Sequence, residues 1–189
     1  MADDERYFSA LIGNSILGAS GLTSRLARRI RTQEGLAYAV GTVWTTPRRS
    51  RGIIAATTST KSESTIEAIR LIAEALGEVA VAAPDEAEVR DAIDRIANGF
   101  IFNFETPAQI VSRQMLYLSQ NLPLDWLQIF LAGVQNVTPA GVHQVFRDNL
   151  APNGLDDMVI VIVGDPAGFD QGLEDLGPVR FLEEAEAAP

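Results

Sequence analysis

The sequence predicts an α+β domain, a sheet with helices packed on one side. Three observations carry that expectation. Two stretches of strand character, Ala37–Thr45 and Gly52–Thr58, follow one another across a probable turn at Pro47 and Arg48, Arg49 and Arg51. Segments of helical apolar spacing then succeed one another from Thr60 to Leu150. Six consecutive apolar residues, Met158 to Val163 (MVIVIV), follow the helices and read as a strand apolar on both faces, suited to the middle of a covered sheet. Segregated runs of strands and helices are the signature of the α+β class.

In chain order, Asp3–Leu17 carries Phe8, Leu11, Ile12 and Ile16 at helical spacing. Gly18 to Gly21 ends that helix in a turn where glycine takes the left-handed backbone that a helix stop often needs. A second helix, Ser24–Arg31, is expected to bury Leu22, Leu26 and Ile30 on one face and to hold Arg25, Arg28, Arg29 and Arg31 off it. Gly35 then lets the chain reverse into the first strand. The two strands form an antiparallel hairpin.

Thr60 with Glu63 fits a capping box for a helix with Ile66, Ile69, Ile72, Leu76 and Val79 along one side. Pro84 fits the first turn of a long helix striped by Val89, Ile93, Ile96, Phe100 and Phe104. Thr106-Pro107 starts a helix with Ile110, Val111, Met115 and Leu118, stopped by Pro123. Leu127, Phe130, Leu131 and Val134 mark the next helix, and Thr138-Pro139 starts another with Val142, Val145, Phe146 and Leu150. Gly164-Asp165-Pro166 ends the MVIVIV strand, a short helix is expected between Gly168 and Leu176, and residues 182–189 read as a loose tail. No internal repeat or linker divides residues 1–181.

Composition bounds the function. Of 189 residues, 47% are hydrophobic and 21% charged, ordinary material for one domain with a continuous core. Fifteen basic against 25 acidic residues give a net charge of −10, which argues against a nucleic-acid partner. The absence of cysteine excludes disulfide and thiolate chemistry and leaves cytoplasm and periplasm equally open. The longest apolar run, Met158–Val163, is far short of the roughly 20 residues of a membrane helix. The start, MADDERYF, has no signal-peptide pattern.

Chemistry is sparse. A catalytic zinc site takes about three protein ligands, and the chain has one histidine, His143, with neither His-x-x-Glu-His nor His-Glu-x-x-His anywhere. His143 is read as structural. A Gly-x-Ser-x-Gly elbow is absent, and Gly18-Ala-Ser-Gly21 lacks the Gly-Lys-Ser/Thr ending of a phosphate loop. What stands out is Arg31 at a helix exit and Tyr38 at a strand start, seven residues apart and placed to share one lip of the fold. Each also has a plain explanation. Arg31 in a last helical turn complements the helix dipole, and Tyr38 is a good strand former.

Leu17-Gly18, Ser24-Arg25-Leu26, Ile30-Arg31 and Glu34-Gly35-Leu36-Ala37-Tyr38 agree together in order and spacing with a known signature. They resemble the second-domain pattern of the pitrilysin-like zinc peptidases, family M16, which include mitochondrial-processing-peptidase relatives. The resemblance spans about Asp4 to Arg180. It implies a LuxS/MPP-like metallohydrolase fold with an antiparallel or mixed sheet, and a domain lacking its first strands, hence truncated at its N-terminus. It further implies that Arg31 and Tyr38 bind the substrate backbone and that Tyr38 stabilises the anionic intermediate of peptide hydrolysis. Zinc is then expected on a partner domain or subunit, with no metal bound by this chain, which is inactive alone. Arg25, Arg28, Arg29 and Glu34 are expected to be structural or solvent-facing. A homodimer of the isolated chain is a further possibility, and the alternative function is a non-catalytic assembly subunit of the same fold.

Overall fold

The computed structural model describes residues 6–45, 52–150 and 154–182. Helix α1 (Arg6–Asn14) runs directly into a π-helical turn, Ser15–Ala19. A 3-10 turn (Gly21–Thr23) and a second π-helical segment (Ala27–Gln33) lead to strand β1 (Ala37–Trp44) and strand β2 (Ile54–Thr60). Then come α2 (Thr65–Val81), α3 (Glu86–Ile101), α4 (Pro107–Ser119), α5 (Trp126–Gln135) and α6 (Pro139–Asn149). This is the α+β arrangement expected, a helix-rich chain around an antiparallel pair in which Gly41 faces Thr57 and Thr42 faces Ala56. The expected turn at 47–51 lies outside the described residues, as do 183–189.

The core forms where α1, α2, α5 and α6 meet the hairpin. Ile12, Leu17, Leu26, Ile30, Val79, Val134, Val142 and Phe146 are buried there. Trp44 brings its ring edge-on to Phe146, with centroids 6.2 Å apart, so the strand end is fixed against α6. Phe100 of α3 stacks on Phe130 of α5 with centroids 3.9 Å apart. The helix starts at Thr106 and Thr138 are as read from sequence. Thr106 and Gln109 form a full capping box, and the Thr138 hydroxyl accepts from the Gly141 amide.

Several expectations are corrected, each by a contact that sequence spacing cannot show. Leu22 is 58% exposed, because it lies in the 3-10 turn before the helix and so falls out of register with Leu26 and Ile30. Gly18 is not a turn residue. It is buried in a π-helical turn where a β carbon would lie 2.5 Å from the Thr42 amide nitrogen, so its role is close approach to β1. Gly21, with φ +62°, is the glycine that makes the turn.

The Thr60–Glu63 capping box does not form. Thr60 donates to the Leu36 carbonyl instead, and the amides of Ile66 and Glu67 at the start of α2 donate to the Asp170 carboxylate at 2.8 and 3.0 Å. Pro84 precedes the cap of α3, Asp85, rather than occupying its first turn. The expected apolar stripe of α4 is exposed at Ile110, Val111, Met115 and Leu118, while Tyr117 is buried. Finally, Met158–Val163 pairs with no strand among the described residues. Met158, Ile160 and Ile162 are half-buried, whereas Val159, Val161 and Val163 are 94%, 78% and 97% exposed. The alternation is that of a strand, but one face only is covered.

Candidate functional site

The segment 25–33 is seated by its apolar residues: Leu26, Ala27 and Ile30 are buried. It is tied down from the polar side by Arg25, whose Nε and Nη2 donate to the two carboxylate oxygens of Glu88 on α3 at 2.8 and 2.6 Å. That hydrogen bonding raises the Arg25 pKa further, against the opposing effect of burial. Arg28 joins the same carboxylate at 3.6 Å, and Arg29 lies 3.9 Å from both Glu34 and Glu74. Each of these three arginines, and Glu34, thus has an ion-pair partner within the chain.

Arg31 differs. It sits in the last turn of the π-helical segment, and among the described residues its guanidinium has neither an ion pair nor a hydrogen bond. π-Helical turns cluster at functional positions because they widen the helix and displace a side chain from its regular place. Gly35, at φ +67°, then reverses the chain, and the Leu36 amide turns back to the Ile30 carbonyl at 3.0 Å.

The chain enters β1 through an irregularity. Ala37 pairs with Thr60 and Ala39 with Ser59, so Tyr38 is an extra residue, a β-bulge. Tyr38 has the parity of Val40, Thr42 and Trp44, which turn toward the core. The bulge instead puts Tyr38 and Ala39 outward together, leaving Tyr38 82% exposed. The Arg31 guanidinium carbon then lies 4.7 Å from the Tyr38 ring centroid, a cation–π contact worth about 0.5–1 kcal/mol at an exposed site. The two side chains read from sequence as a pair are thus brought together.

They stand over a shallow groove of about 570 Å³ lined on the hairpin side by Ala39, Val40, Gly41, Thr57, Thr58 and Ser59. This lining escaped the sequence reading, because those residues are assembled by strand register. Leu22, exposed against expectation, closes one side.

Among the described residues no group of three or more His, Cys, Asp or Glu side chains could hold a metal ion. The His143 Nε2 atom lies 3.1 Å from the Ala80 carbonyl, joining α6 to α2. The described donor set does not fit zinc.

A family model described as the peptidase M16 inactive domain matches residues 1–96, which include Arg31 and Tyr38. The chain belongs to this family. Among solved structures, the peptidase M16 inactive domain from Pseudomonas fluorescens is 28% identical, with a TM-score of 0.71 over 80% of this chain and 36% of that one. The M16 chain described here thus spans about a third of the length of that relative. A protease from Helicobacter pylori (16% identical, TM-score 0.61, 77% of this chain and 35% of that one) shares the fold. So does an inactive peptidase domain from Bordetella parapertussis, at 11% identity and TM-score 0.65, over 78% of this chain and 79% of that one. Among curated proteins none matches the M16 chain.

Proposed function

We propose that this M16 domain supplies the substrate-contacting wall of a zinc peptidase whose metal ligands belong to a partner domain or subunit. The observation that carries the reading is the contrast among the arginines. Arg25, Arg28 and Arg29 are engaged by carboxylates, whereas Arg31 leaves its donors unengaged among the described residues and stacks on an exposed tyrosine. A desolvated, unpaired arginine would be costly. At a groove rim it is a ready fork of donors for main-chain carbonyls.

The substrate class that suits this wall is an extended peptide or an unfolded segment. The alanine, glycine, threonine and serine of the hairpin side let a backbone lie close, and the Tyr38 hydroxyl is available to a carbonyl oxygen as it gains negative charge. Arg31 grips the substrate and Tyr38 assists its reaction. The chain alone is inactive in this reading.

The test is reconstitution of the M16 chain with a zinc-motif-bearing M16 partner, following cleavage of a quenched peptide. Arg31→Ala is expected to raise KM about tenfold, the loss of one charge-assisted hydrogen bond to substrate. An unchanged KM, or activity of this chain without a partner, contradicts the assignment.

A further inference from the structure

Helix α4 has one side held in the fold and one that nothing covers among the described residues. On the held side Tyr117 is buried, Arg113 donates to Asn103 Oδ1, and the Leu122 amide returns to the Tyr117 carbonyl at 2.8 Å. Ala108, Val111, Ser112, Met115, Leu118 and Ser119 are exposed on the other. No exposed residue of α4 carries a charge, although the chain as a whole has a net charge of −10. A solvated helix face ordinarily holds charged side chains. Ala108, Val111, Met115 and Leu118 instead follow one another at the a and d positions of a heptad, the seam along which helices pair.

We infer that this seam is a contact between two copies of the chain, with α4 packed antiparallel against α4 of a second copy. The register follows from side-chain volume. Antiparallel pairing sets an a position against a d position, so Ala108 meets Leu118 of the second copy and Val111 meets Met115 of the second copy. Two-fold symmetry repeats both contacts. The smaller side chain meets the larger in every layer, which keeps the two helices evenly spaced. A two-fold interface requires a self-complementary surface of this kind.

Area and charge agree with that occupant. Val111, Met115 and Leu118 are 59%, 65% and 64% exposed. With the smaller residues beside them the face offers about 500 Å² per copy, or about 1,000 Å² in the pair, the lower limit for a specific interface. Two chains of net charge −10 repel, and this face lets them touch without opposing carboxylates. Glu105 and Asp125, both exposed, bracket it, so each end of the antiparallel pair brings like charges toward one another and added salt tightens the dimer. A membrane surface is the poorer occupant, because interfacial helices carry lysine and arginine on their polar face and α4 exposes neither. No residue of α4 lines the Arg31–Tyr38 groove, so the two surfaces are separate.

The experiment is sedimentation velocity on the whole chain across concentrations. A reversible dimer is expected with Kd in the micromolar range, as suits an interface of this size. Leu118→Glu should weaken it at least about 100-fold, since the charge is buried twice over, whereas Val81→Glu, at an exposed valine of α2, leaves it unchanged. The chain has no cysteine, so introduced thiols report the register. Under mild oxidation a mixture of Val111→Cys and Met115→Cys chains should crosslink at least about tenfold more than either variant alone, because only the mixture sets thiol against thiol. A chain that stays monomeric to about 1 mM, a dimer indifferent to Leu118→Glu, or crosslinking within each variant alone overturns the inference. The first of these gives the face to a different protein, and the last to parallel helices.

Discussion

Arg25 and Glu88 meet through two parallel hydrogen bonds of 2.8 and 2.6 Å, across 63 residues of sequence. The pair joins the segment that carries Arg31 to α3, a helix with no side chain in the Arg31–Tyr38 groove. Both side chains are largely buried, 25% and 19% exposed, so removing one strands the other. Glu88→Ala should lower stability by about 2 kcal/mol, less than for a fully buried pair. For a chain of this size that is roughly 4–8 °C in Tm, readable by thermal melting. A shift below one degree would show that the bidentate geometry contributes nothing.

Gly18→Ala tests the close approach of the first π-helical turn to β1. The added carbon would meet the Thr42 amide nitrogen and hydroxyl at 2.5 Å, and Thr42 is held by its own bond to Asn14 Oδ1 at 2.7 Å. Backbone must therefore move. The expected loss is about 1–3 kcal/mol by denaturant titration, whereas Gly77→Ala, with open space around its β carbon, should be neutral or stabilising.

How far the sequence could show these things depends on the range of the contacts. The hairpin, the caps at Thr106 and Thr138 and the convergence of Arg31 with Tyr38 depend on local spacing, and were legible. The anchor of α2 was not, because Asp170 reaches Ile66 over 104 residues. The bulge at Tyr38 appears only once β1 is set against β2. For MVIVIV the composition announced a strand correctly in period, but pairing is a property of neighbours, and β2 does not reach it. The stripe on α4 misled for the same reason: apolar spacing predicts a buried face and says nothing of what covers it.

Asp170 gives a pH signature. Burial tends to raise its pKa, but the bonds from the Ile66 and Glu67 amides, with Arg70 nearby, outweigh that and the net shift is downward. A carboxylate with a lowered folded-state pKa stabilises above its unfolded value, and the contribution fades as pH falls through the folded value. Asp170→Asn should therefore cost about 0.5 kcal/mol at neutral pH, a cap-sized effect reduced by solvent screening. The difference between the two proteins should shrink toward zero in acid. A difference independent of pH would assign the effect to hydrogen bonding without charge.

The central claim is that Tyr38, turned outward by its bulge and lying within 4.7 Å of Arg31, donates a hydrogen bond to the reacting carbonyl. The most direct test is the kcat of Tyr38→Phe in the chain reconstituted with a zinc-motif-bearing M16 partner, since phenylalanine keeps the ring and the stacking and removes only the donor. The account predicts a fall of about 100-fold in kcat with KM nearly unchanged. An unaltered kcat in a variant that melts at the wild-type temperature would contradict it.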